Sequence, residues 1–91
     1  MFKYRGKVIR SDSLDPNYKV EFSFCSENYE VTEAVALFTR MSPFPKVCFD
    51  DYTDYLMEKN DVDEETIKNI KLEIGKTVFD YIFSTLDTKR I

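Results

Sequence analysis

Apolar and polar residues alternate along residues 18–25. Tyr18, Val20, Phe22 and Phe24 share one parity, and Lys19, Glu21, Ser23 and Cys25 share the other. A period of two places successive side chains on opposite faces, as in a half-buried strand. Residues 2–10 repeat the pattern more weakly. Phe2, Tyr4 and Val8 fall on one parity with Gly6 between them, while Arg5, Lys7 and Ile9 fall on the other. A glycine inside a strand marks a bulge or a close approach of another backbone. Residues 11–17 carry turn chemistry in Ser11, Asp12, Ser13, Asp15, Pro16 and Asn17. The two strands are therefore predicted to form an antiparallel hairpin.

The period then changes. Ala34, Val35, Leu37, Phe38 and Met41 fit a 3.6-residue repeat behind Thr32, a good N-cap. This predicts a helix from 32 to about 41, although residues 29–32 also fit an extended strand. Ser42-Pro43-Phe44-Pro45 stops that helix, because proline cannot continue it. Phe44, stiffened by two prolines, is expected to fold back onto the core. Residues 47–49 fit a short strand or the first turn of the next helix equally well. Residues 50–59 read as a helix with Asp50 as its N-cap.

The C-terminal element has the clearest signature. Asp63 stands at an N-cap position, Glu64 and Glu65 suit the positive end of a helix dipole, and Val62 and Ile67 are spaced as a hydrophobic staple. Ile67, Ile70, Ile74, Val78, Ile82 and Leu86 form one apolar stripe. Glu64–Lys68 and Lys76–Asp80 are spaced as i,i+4 ion pairs. The helix is predicted to run for about 24 residues, or about 36 Å. Gly75 in its interior suggests that another backbone crosses there. The sequence thus predicts one α+β domain over residues 1–91. Its parts are an N-terminal antiparallel β-hairpin, with room for a third short strand, and about three α-helices, the long C-terminal one forming the spine.

Composition narrows the function. An apolar fraction of 43% with 15% aromatics supports a single modest core in 91 residues. Two cysteines, Cys25 and Cys48, do not make a disulfide framework. No apolar segment of leader type follows the basic N-terminus, and no run reaches the roughly 18–20 apolar residues needed to span a bilayer. A cytoplasmic chain with free thiols and no membrane contact is expected. There is no His, no Trp, and no glycine besides Gly6 and Gly75. The usual general base, nucleophile–His pairs, His-based metal sites and phosphate-cradling loops are all missing. Neither an enzyme nor a cofactor site is expected. Asp61 to Glu65 resembles the opening of a calcium loop, but Thr66 stands where glycine is needed and Leu72 where glutamate is needed.

Charge is segregated behind a net −4. Asp50, Asp51, Asp54, Glu58, Asp61, Asp63, Glu64 and Glu65 face one base, Lys59, whereas residues 1–10 hold Lys3, Arg5, Lys7 and Arg10 and no acid. On a helix, Asp50, Asp54 and Glu58 fall on one face at i,i+4 spacing, about 6 Å between neighbours. That is close to the phosphate repeat of a nucleic-acid strand. With Tyr55 as an aromatic anchor, Asp50, Asp51, Asp54 and Glu58 make a candidate surface for a basic partner protein. The implied function is a small non-enzymatic inhibitor that mimics nucleic acid on a nucleic-acid-handling protein. Small size and polarised charge suit an accessory, anti-defence factor of a virus or mobile element. The alternative is a structural or assembly module that forms a homodimer through Leu72, Phe79 and Phe83, which lie off the main stripe of the last helix. Nucleic acid is not the expected ligand. Basic residues on the first strand more commonly protect a sheet edge from pairing.

Overall fold

The computed structural model describes the backbone of residues 2–89 and the side chains of residues 2–84. Four strands come first: β1 (Lys3–Val8), β2 (Asn17–Cys25), β3 (Glu30–Thr39) and β4 (Lys46–Phe49). Two helices follow, α1 (Asp51–Lys59) and α2 (Glu64–Lys89), and a short 3₁₀ turn at Arg10–Asp12 separates β1 from β2. The strands form one antiparallel meander in the order β1-β2-β3-β4. The class is α+β, but the predicted hairpin on about three helices is corrected to a four-stranded sheet with two α-helices.

The correction comes from residues 32–41, which are strand rather than helix. Phe22 pairs with Ala34 and Phe24 with Val31, so β3 uses three residues where β2 uses two. The extra residue is a β-bulge, and within it Glu33 adopts a positive φ of 59°. The bulge resets the parity of β3. Val31, Ala34, Ala36 and Phe38 therefore all face the core although their spacing is three, two and two. An i,i+3 step followed by helix-favouring Ala and Leu imitates a helical period.

The core lies between one sheet face and α2. Tyr18, Val20, Phe22 and Phe24 of β2 and the four β3 residues meet Ile70, Ile74 and Val78 of α2 and Met57 of α1, all buried. Ile67 and Ile82 pack on its margin, as does Val62 before the helix. The side chain of Leu86 lies outside the described residues. Tyr4 Oη and Thr77 Oγ1 are 2.9 Å apart, tying β1 to α2. Gly6 permits this. A Cβ at Gly6 would collide with the Tyr4 ring and hydroxyl, so the close approach is by a side chain, not a backbone. At Gly75 the nearest atom to an added Cβ is Phe38 Cε2 at 3.9 Å, so no backbone crosses there either.

Residues 46–49 resolve as strand, and the chain then seals the sheet edge. β4 pairs with β3 only from Ala36 to Thr39. At the next rung, the Asp50 amide donates to the Val35 carbonyl (3.2 Å) and the Val35 amide donates to Thr53 Oγ1 (2.8 Å). The first turn of α1 thus replaces the strand that has ended. Asp50 is the N-cap, its Oδ1 accepting from the Thr53 amide at 2.8 Å. At the other end of α1, Val62 N donates to Met57 O and Asp61 N to Glu58 O, with Asp61 at φ 54°. This is the Schellman arrangement, with Asp where glycine is usual.

Across the sheet, Asp15 accepts two 2.7 Å hydrogen bonds from Arg40 and one of 2.8 Å from the Tyr18 hydroxyl. These bonds fasten the β1–β2 connection to the end of β3. They hold the Asp15 carboxyl down to about 2, with the Arg40 guanidinium the larger cause. Two side-chain expectations are also corrected. Phe44 is 78% exposed rather than folded onto the core. Lys76 turns to Glu73 (3.4 Å) rather than to Asp80.

Candidate functional site

Two faces of α1 are set by what it must bury. Thr53 and Met57 point inward and Leu56 packs at the margin. A residue every 100° then places Asp51, Asp54, Tyr55 and Glu58 together on the outward side. All four are exposed, Tyr55 at 57%. Asp51–Tyr55 and Asp54–Glu58 are i,i+4 neighbours, and Asp51–Asp54 and Tyr55–Glu58 are i,i+3 neighbours, so the four groups form a compact diamond. Among the described residues, no cation pairs with Asp51, Asp54 or Glu58. Lys59 instead lies over the Tyr55 ring, 5.9 Å from its centroid. Asp50 is also exposed, but it belongs to the cap rather than to the diamond.

The diamond is rigidly mounted. The lock between Asp50, Thr53 and Val35 fixes one end of α1, and the turn at Asp61 fixes the other. Exposed Asp61, Asp63, Glu64 and Glu65 continue the negative surface around the corner into α2. Positive charge gathers at the far edge. Lys3, Arg5 and Lys7 of β1 lie on the sheet face away from α2, opposite Cys25, Ser23 and Glu21. No residue of that parity is buried, so this face meets solvent. Three strand spacings, about 14 Å, separate β1 from β4. The charge segregation of the sequence thus becomes a polarity across the sheet.

A second surface lies on α2. Leu72, Phe79 and Phe83 fall on one line opposite the core stripe and are 59%, 41% and 61% exposed. Phe79 alone reaches inward, meeting Phe38 edge-on at a ring-centroid distance of 5.9 Å. The sequence reading named residues that are all exposed on these two surfaces. It missed Thr53, whose place three residues after a capping Asp is a recognisable signal, and whose contact with Val35 is not.

Among the described residues, no group of three or more Cys, Asp or Glu side chains is placed to hold a metal ion. The two thiols are unbridged. No helix among the described residues is long and apolar enough to cross a membrane. Comparison with protein-family models, with curated proteins and with solved structures found no match to this chain.

Proposed function

We propose that this chain is a non-enzymatic binding factor that engages a basic surface of another protein through the outward face of α1. Asp51, Asp54 and Glu58 supply the charge and Tyr55 the aromatic anchor. The observation that carries the reading is the set of three exposed carboxylates, unpaired among the described residues, on a helix fixed at both ends. Carboxylates that lack internal partners lose nothing inside the fold when they meet an arginine-rich surface, and charge-assisted pairs there favour association. A rigid helix also has little conformational entropy left to lose on binding. A cytoplasmic protein of this kind would block a nucleic-acid-handling partner by covering the surface that the partner uses for phosphate. Such a role suits an accessory factor of a virus or mobile element.

The test is affinity capture from the native cell lysate with the wild-type chain and with Asp51→Lys/Asp54→Lys/Glu58→Lys. The wild type should retain one stoichiometric nucleic-acid-handling protein that high salt releases, and the triple variant should lose it while keeping its far-UV spectrum. Equal capture by both proteins would overturn the reading.

A further inference from the structure

We infer that the outer seam of α2 is a twofold interface with a second copy of this chain, the two helices packing antiparallel. The seam is Leu72, Lys76, Phe79 and Phe83, spaced four, three and four. This alternation is the one that keeps a stripe facing a partner helix. It is also symmetric about a point midway between Leu72 and Phe83. A second α2 laid antiparallel therefore sets Leu72 against the partner's Phe83 and Lys76 against the partner's Phe79, with both contacts repeated across the twofold. Apolar meets apolar in the outer layers. In the inner layers, the aliphatic stem of Lys76, whose ammonium lies 3.4 Å from Glu73, packs beside an aromatic ring.

The groove beside the seam supplies the matching hollow. It has a volume of about 500 Å³ and is lined in part by Phe38, Pro45, Val47, Leu72, Gly75 and Phe79. Residues 72, 75, 76 and 79 form the four-cornered hole that receives a knob in helix-on-helix packing. One corner is Gly75, a residue that weakens a helix interior relative to alanine. No neighbour within this copy requires that glycine. In the antiparallel register, the ring that enters the hole is Phe79 of the second copy.

Size supports the same occupant. Leu72, Phe79 and Phe83 together expose on the order of 300 Å² per copy, given about 200 Å² for a phenylalanine side chain. Doubled across the twofold, these three side chains supply about 600 Å² of the roughly 1,000 Å² that marks the lower bound for a specific interface, and the polar rim around them has to supply the rest. The seam lies on α2, away from the α1 carboxylates, so this inference stands apart from the proposed function.

The experiment is sedimentation equilibrium of the full chain, with Leu72→Asp/Phe83→Asp as the disrupting variant. Neither side chain belongs to the core, so the variant keeps the fold, which its far-UV spectrum checks. The wild type should show twice its 10.8 kDa mass and dissociate on dilution, and the variant should stay at 10.8 kDa. Gly75→Leu gives an uncharged second test, since it fills the hole while favouring helix, and it should also yield a folded monomer. For the register, Leu72→Cys and Phe83→Cys are made separately in a Cys25→Ser/Cys48→Ser background. The two proteins should cross-link when mixed and much less when oxidised alone. A wild type that remains monomeric at roughly 100 µM overturns the inference, since a dimer weaker than that falls short of a specific interface. So does a dimer indifferent to these substitutions, or a seam that binds only an unrelated protein.

Discussion

Replacing Thr53 by valine removes one hydroxyl from the junction of sheet and helix. Thr53 is fully buried, and its Oγ1 is the acceptor for the Val35 amide. Valine has nearly the same shape, so packing changes little. The Val35 amide loses its partner at a place where β4 has ended and no other acceptor replaces it. A buried donor left without a partner costs about 1–3 kcal/mol. Thr53→Ser is the control. It keeps the acceptor and removes one buried methyl, at a cost of about 1 kcal/mol. The valine variant should therefore be the less stable of the two, by about 1 kcal/mol. In a domain of this size, a loss of about 2 kcal/mol lowers Tm by roughly 8–16 °C. Urea unfolding followed by far-UV circular dichroism gives the order, and amide exchange at Val35 reports the bond itself. Thr53→Val at least as stable as Thr53→Ser, or unchanged Val35 protection, would refute the assignment of the edge seal to this hydroxyl.

Asp61→Gly should raise stability by about 1 kcal/mol, because glycine carries no left-handed penalty at the turn between α1 and α2; thermal melts that show no gain would refute a left-handed penalty at Asp61. Asp15→Asn tests the loop fastening through pH. The folded-state carboxyl lies near 2 against an ordinary 3.8, so its stabilising effect is complete above 3.8 and fades as pH falls toward 2. The Tm difference between wild type and Asp15→Asn should therefore hold steady from neutral pH to about pH 5 and close between about pH 4 and pH 2. A difference independent of pH across that window would remove the carboxylate from the account.

What the sequence revealed depended on whether a signal was local. β1, β2, α1 and α2 were legible because alternation, an N-cap Asp and a long apolar stripe each act within a few residues. β3 was not. Its two halves are in opposite parity, and only the pairing with β2, which the chain does not state locally, shows that one residue has been inserted at Glu33. Phe44 was misjudged for a related reason: two prolines fix the backbone of a loop, but they do not say which way it leans. At the candidate site, the charge run and Tyr55 were visible as residue types. The removal of Asp50 from the outward face was visible only in part, because a capping Asp and a docking Asp look alike until the helix start is known to one residue. Leu72, Phe79 and Phe83 were visible as surplus apolar positions on α2, and the groove beside them required the β3–β4 turn to be in place.

The meander has a consequence for how the protein is made. Each strand pairs with the one before it, so the sheet zips up in the order in which the ribosome delivers it, and a hairpin forms in roughly 1–10 µs. The cover arrives much later. At about 5–20 residues per second, the 26 residues of α2 take about 1–5 s to synthesise. Until α2 docks, Tyr18, Phe22, Phe24 and Phe38 form an apolar sheet face that lacks its main cover. Neighbouring nascent chains would then meet edge to edge, and the β1 edge offers Lys3, Arg5 and Lys7 at every second position. Two such edges repel each other, which keeps sister chains on a polysome apart until each has made its own helix.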